Sequence, residues 1–261
     1  MTEQQLLFAD SDDPPALAAR RVFNNELVEE SLHALTEAHR FDSVEEWRES
    51  IIGALPQNSQ EVRLRNADYI LSRFAPGRVM PQALVEFAGR LAGTAALRQV
   101  AYYHFCLTER LLGDLVVAVF RPNLEAGTVQ TREVDGFLQQ AHPSVERSLM
   151  RFRNTCVRTL RAFGVVTSES RAEPIAFAAQ LPELAAFLYV LHHATNSPTM
   201  MHTTSFCDSW EAKAMLWPAS TIEAMLREAH RVGLMAKLSE IDGIRQFTTH
   251  LSLEEVVHRL P

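Results

Sequence analysis

The stretch ALRQVAYYHFCLTERLLGDLVVAVFRPNL, from Ala96 to Leu124, constrains the fold more than any other part of the chain. A helix that is apolar nearly all round has no solvent face, so other elements must cover it on several sides. Its length fits a central buried helix that ends at Pro122. Its uncharged runs, such as LLGDLVVAVF broken by Asp114, and the later PIAFAAQLP, fall well short of the ~20 apolar residues a membrane span needs. The cover must come from the rest of the 261 residues, of which 47% are hydrophobic, enough for a real core.

The flanking sequence reads as further helices. Residues 1–15 end in DSDDPP and form a flexible acidic leader, because acids and prolines bury little apolar surface. From Pro15, Leu17, Val22, Leu27, Val28, Leu32 and Leu35 recur at helical spacing, with Glu26, Glu29 and Glu30 on the other side and a possible break at Asn24 and Asn25. SVEEWRESIIGAL opens on a capping-box pattern, Ser43 followed by Glu46, and ends near Pro56. SQEVRLRNADYILSRF stops before Pro76, with Leu64, Ala67, Leu71 and Phe74 on one face.

After Pro122 the order changes. A short helix at TREVDGFLQQA, a turn at His142 and Pro143 and a long basic helix from Ser144 have the layout of a helix-turn-helix. Gly164 stops the basic helix, and VVT, SESRAE and PIAF then read as two strands around a polar turn, a wing. The order helix, glycine, strand, turn, strand recurs at STIEAMLREAHRVG, LMAKLS, EIDG and IRQFTT. The expected fold is mainly α: a helical bundle with helix-turn-helix or winged-helix-like units and two short β-hairpins. Its expected divisions are the leader 1–15, a helical domain 16–130, the helix-turn-helix with wing 131–178, and a C-terminal helical region 179–261 ending in a second winged-helix-like unit.

Charge singles out the basic helix. The chain carries −7 overall, but residues 1–61 hold −9, residues 62–173 hold +5 and residues 174–261 hold −3. SLMRFRNTCVRTLRAFGVV, from Ser148 to Val166, has four arginines and no acid. On a helical projection Arg147, Arg151, Asn154, Arg158 and Arg161 share an arc of about 80°, while Val145, Leu149, Phe152, Cys156, Leu160 and Phe163 occupy the opposite side. Arg153 sits beside the apolar stripe. With no acid between Arg147 and Val166, the face needs partners from outside it: duplex DNA phosphate, or carboxylates such as those of the acidic N-terminal segment. The candidate nucleic-acid contacts are Arg147, Arg151, Arg153, Asn154, Arg158, Arg161 and, on the wing, Arg171.

Other chemistries find less support. Cys106, Cys156 and Cys207 form no CxxC pair, and the N-terminus lacks a signal pattern, which predicts a reduced, cytoplasmic protein. His192, His193, His202 and Cys207 have metal-capable side chains but no common zinc spacing, so no metal or other cofactor is expected. Ser205, Cys207 and Asp208 near His202 lack an elbow glycine, and no glycine-rich phosphate loop occurs, so no catalytic residue is assigned and no enzymatic activity is expected.

From Arg20 to Phe177 the chain resembles the BrxA proteins of bacterial BREX phage-resistance systems. The resemblance rests on the order of helices, on AYYHFCLTERLLGDLVVAVFRPNL, and above all on HPSVERSLMRFRNTCVRTLRAFGVV, with basic residues at Arg151, Arg153, Arg158 and Arg161, with Leu160, and with Gly164, Val165 and Val166 closing the segment. His192, His193 and the segment from Thr195 to Cys207 depart from the family pattern. The resemblance implies a small, helical, non-enzymatic DNA-binding component that works beside methyltransferase and ATPase partners in anti-phage defence. A protein-binding adaptor without intrinsic DNA binding is the alternative.

Overall fold

A computed structural model describes residues 26–141, 148–169, 173–196, 198–235, 237–241 and 244–260. The fold is mainly α with two small antiparallel sheets. Its N-terminal part runs through α1 (Val28–Glu37), α2 (Val44–Ala54), α3 (Gln60–Phe74), α4 (Gln82–Arg90) and α5 (Ala95–Thr108). The Ser43 hydroxyl accepts from the Glu46 N–H, as the capping pattern predicts, while the Glu46 carboxylate accepts from the Asp42 N–H. Trp47 is fully buried and donates its indole N–H to the Ala34 carbonyl, which fastens α2 to α1. Ala67, Leu71 and Phe74 of α3 enter the core with Phe87, Phe105 and Phe120.

The long apolar stretch is not one helix. It breaks at Glu109, whose φ and ψ are −89° and 66°, into α5 and α6 (Arg110–Leu115), then passes through a π-helical turn (Val116–Phe120) and a 3-10 turn (Arg121–Asn123). The break turns the Glu109 carboxylate inward onto Arg73, 3.4 Å away, and both side chains are buried. Such a pair persists in a core only with further hydrogen bonds. Arg73 supplies them, donating to the Ser31 hydroxyl at 2.9 Å and the Glu26 carbonyl at 3.0 Å, with its guanidinium 4.0 Å from the Phe105 ring centre.

Two units with the same wiring follow. In the first, β1 (Thr128–Val129) leads to α7 (Thr131–Ala141) and α8 (Leu149–Ala162), and β2 (Ile175–Ala176) returns to pair antiparallel with β1. Val166 bridges Phe177 on the other edge, so the last segment lies in the middle. In the second, α9 (Leu184–Thr195) precedes β3 (Met200–His202), α10 (Thr203–Asp208), α11 (Trp210–Ala214), α12 (Ala219–Arg231), β4 (Lys237–Ile241) and β5 (Ile244–Thr248). The sheet order is β3-β5-β4, again with the last strand central.

Both helices that feed these sheets stop alike. The Gly164 N–H donates to Arg161 and the Val165 N–H to Leu160; the Gly233 N–H donates to His230 and the Leu234 N–H to Ala229. The glycines have φ of +79° and +76°, a conformation that favours glycine at a helix end. The closing helix α13 (Leu253–Arg259) starts from a Ser252–Glu255 capping box and packs on α4 and α9. Arg90 of α4 donates to the Val257, His258 and Leu260 carbonyls at its end. The C-terminal region is thus bound to the N-terminal helices rather than appended to them.

Helices α6 and α11 meet at Gly113. A Cβ at this position would overlap the Trp210 ring, so only glycine lets α6 and α11 approach this closely. The indole N–H donates to Asp114 at 2.8 Å, and Arg110 lies 3.7 Å over the ring.

Candidate nucleic-acid interface

Helix α8 is fixed by its apolar side. Phe152, Cys156, Leu160 and Phe163 are buried, as the projection predicts, and Leu149 packs at the margin. Phe163 stacks edge-on against Phe105, with centroids 4.9 Å apart, and lies 5.3 Å from Tyr102. Burial of each such ring is worth about 1.5–3 kcal/mol, which holds the helix against α5. Thr155 and Thr159 widen the buried side and satisfy their hydroxyls on the carbonyls of Arg151 and Thr155. Arg98 of α5 donates to the Ala162 carbonyl at 2.7 Å, a cation placed at the negative end of the helix.

The arginines divide by function. Arg151 and Asn154 are exposed, and among the described residues neither side chain has a partner. Arg158 lies on the same face, 56% exposed, with its guanidinium 2.6 Å from the Glu26 carboxylate. Arg153 is committed to Asp135 of α7 at 2.6 Å, which fastens the two helices together. Arg161 turns to the loop after the helix and donates to the Ser168 and Glu169 carbonyls at 2.9 and 3.0 Å. Glu173 holds the other end of that loop by accepting from the N–H and hydroxyl of Thr131, at the start of α7. Arg147, Arg171, the turn at His142 and Pro143, and the leader 1–15 lie outside the described residues.

The outward face is therefore Met150, Arg151, Asn154 and Arg158. Met150, which the helical projection had not singled out, is 67% exposed. Glu26 sets the charge balance at one end. Burial raises its carboxyl above the usual range, with Glu30 adding to the rise, while Arg158 pulls it down. Its carbonyl is the one that Arg73 holds from inside the core. The signal for this partner was the acidic N-terminal segment; its pairing with Arg158 specifically depends on tertiary packing.

Helix α12 has the same place in the second unit but a different surface. Glu223 pairs with both Arg227 and Arg245, and Glu228 accepts from Arg231. Its charges are answered within the helix and the adjoining hairpin. The metal-capable residues serve packing: His192 is buried with Nδ1 3.2 Å from the Leu251 carbonyl, and His193 meets the Tyr103 hydroxyl at 2.9 Å. Burial pushes His192 down to about 4. His202 is exposed and Cys207 half-buried. Among the described residues no group of three or more potential ligands comes together, and no helix is long and apolar enough to cross a membrane.

Fold and surface together define a mainly helical protein that presents a cationic helix beside a small three-segment sheet. The BrxA family model matches residues 24–189, well over half the chain, and the protein belongs to that family. Membership points to a role in BREX phage resistance. The match takes in all of α1 to α8, the first sheet and the start of α9; the second sheet and α12 lie beyond it. A comparison with curated proteins gave no match.

Proposed function

We propose that this protein is a non-enzymatic, duplex-DNA-binding component of a BREX-type defence system, and that β1 to β2 form a winged-helix unit with α8 as its recognition helix. The observation that carries the reading is the outer face of α8: Arg151 and Asn154 without partners among the described residues, Arg158 beside them, and no acid in the helix. Guanidinium groups bind phosphate oxygens strongly, and Arg151 and Arg158, about 10 Å apart along the axis, span neighbouring phosphates. Support for a wing comes from the described ends of the segment after α8, where Arg161 holds the Ser168 and Glu169 carbonyls and Glu173 accepts from Thr131. Arg153 and Arg161 then act as struts, and Arg147 and Arg171 remain candidate contacts on the sequence alone. DNA binding serves a larger assembly in which other proteins, such as a methyltransferase or an ATPase, act on the DNA.

A protein-binding adaptor is the second reading, and the Arg158–Glu26 pair favours it, since it shows the face meeting a carboxylate. Titration of the full chain against duplex DNA at several salt concentrations separates the two. A DNA-binding face that neutralises about three phosphates gives a slope of log affinity against log salt near −3. An adaptor leaves generic duplex DNA unshifted.

A further inference from the structure

A face built only to hold phosphate has no use for an exposed methionine. Yet Met150 stands 67% exposed in the first turn of α8, one turn before Asn154, and Arg151 lies between them. The residues of α8 that point inward are apolar or threonine, so the helix had other places to put a methionine. The exposed row from its N-terminal end is instead apolar, cationic, amide and cationic: Met150, Arg151, Asn154 and Arg158.

The order has a chemical meaning in a major groove. Residues near the N-terminus of a recognition helix reach base edges, and the cations beside them hold the phosphate backbone. An asparagine amide both donates and accepts, and it matches the N6 and N7 edge of adenine; an apolar side chain matches the 5-methyl group of thymine. Met150 and Asn154 are separated by about 6 Å along the helix axis. That corresponds to one or two base-pair steps of about 3.4 Å. The Asn154 amide is not spent on the protein, because it has no hydrogen-bond partner among the described residues.

Resting on the duplex-binding reading, we infer that α8 reads sequence: Asn154 selects an adenine and Met150 a thymine methyl within neighbouring base pairs, while Arg151 and Arg158 supply the phosphate contacts. The ligand class is duplex DNA containing an A·T-bearing step, read from the major groove. Asn154 and Met150 are specificity determinants, and their side chains contribute little to the fold.

The test is selection of a random duplex pool by the full chain, followed by sequencing of the bound fraction. The parent protein enriches a site with an adenine column and a nearby thymine column. Asn154→Ala flattens the adenine column, with roughly a tenfold loss of discrimination against the other bases. Replacing the selected thymine by deoxyuracil removes only the methyl group and weakens the parent about fourfold, but leaves Met150→Ala unaffected. Circular dichroism and thermal melting confirm that both variants fold as the parent does. If duplexes are bound but the pool stays unenriched, the sequence-reading inference is overturned while duplex binding stands. Enrichment that survives both substitutions also overturns it, by assigning the readout to other residues. If no duplex is retained at all, the duplex-binding reading falls together with it.

Discussion

Helices α8 and α12 stop in the same way, at a glycine in the left-handed conformation, and each passes into a small antiparallel sheet whose last strand is central. Their outer faces differ. In α12, Glu223 and Glu228 lie within the same helix as Arg227 and Arg231, and Arg245 of β5 joins Glu223. In α8 no acid is available, so Arg153 goes to Asp135, Arg158 to Glu26, and Arg151 among the described residues goes to nothing. Shared wiring therefore does not imply shared function. The spacing of acids along a helix decides whether its cations are consumed locally or remain for a ligand.

The sharpest way to break this comparison is to reverse charge on each helix in turn. Arg151→Glu with Arg158→Glu should abolish most duplex binding at moderate salt and reduce the salt slope by about 2, while costing no more than about 1 kcal/mol of stability. Arg227→Glu with Arg231→Glu should leave DNA affinity within about twofold, because those guanidiniums already serve Glu223 and Glu228. Gel shift across a salt series and thermal melting read both. Equal losses from the two helices would show that total charge matters and the face does not.

The contact between α6 and α11 is tested by Gly113→Ala, whose added methyl group meets the Trp210 ring and the Cys106 carbonyl. Overpacking of this kind costs about 1–3 kcal/mol, and denaturant melts should show it. In a Trp210→Ala background the same substitution should cost less, since the ring is gone and only the Cys106 carbonyl still stands in the way.

A smaller effect concerns Glu26. Glu26→Gln should raise duplex affinity severalfold and steepen the salt slope by no more than about 1, because it frees Arg158 for one phosphate. In an Arg158→Gln background the same substitution should do nothing.

The smallest expected effect is on pH. Burial raises the Glu26 carboxyl in the folded protein, so the folded chain binds this proton more readily than the unfolded chain. The corresponding stability contribution is present below the unfolded value and lost as pH rises through the folded one. As pH falls through the raised value, protonation releases Arg158. Affinity of the parent should therefore gain on that of Glu26→Gln as pH is lowered from neutral through that raised value, measured by anisotropy at fixed salt.

Much of this contrast was legible in local sequence. Helical spacing placed Phe152, Cys156, Leu160 and Phe163 inside and Arg151, Asn154 and Arg158 outside, and Gly164 and Gly233 marked both helix ends, because these features depend on neighbours within a turn or two. What was not legible depends on distant partners. Strand β2 lies in PIAF, which already read as a strand, but β1 has only two residues, too few to show an alternation, and exists through its pairing with β2. The break at Glu109 was hidden in an apolar run, since nothing local announces that its carboxylate turns to Arg73. A faint trace of that buried arginine does exist: Asn66, Ile70 and Arg73 follow one another at helical spacing, and all three are buried. Arg161 showed its cationic character in sequence, but its role in bracing the loop needed the carbonyls of Ser168 and Glu169 in place.

The approach of Trp210 to Gly113 has an evolutionary consequence. The glycine lies within the matched family segment and the tryptophan outside it, yet 113 cannot take a side chain while this ring and the Cys106 carbonyl stay where they are. Among relatives that keep this joint, a side chain at position 113 should be accompanied by a smaller residue at 210, and drift at one site should open the path for drift at the other. The two positions form one inherited unit, and any graft that exchanges the C-terminal region between relatives must carry the matching residue at 113 with it.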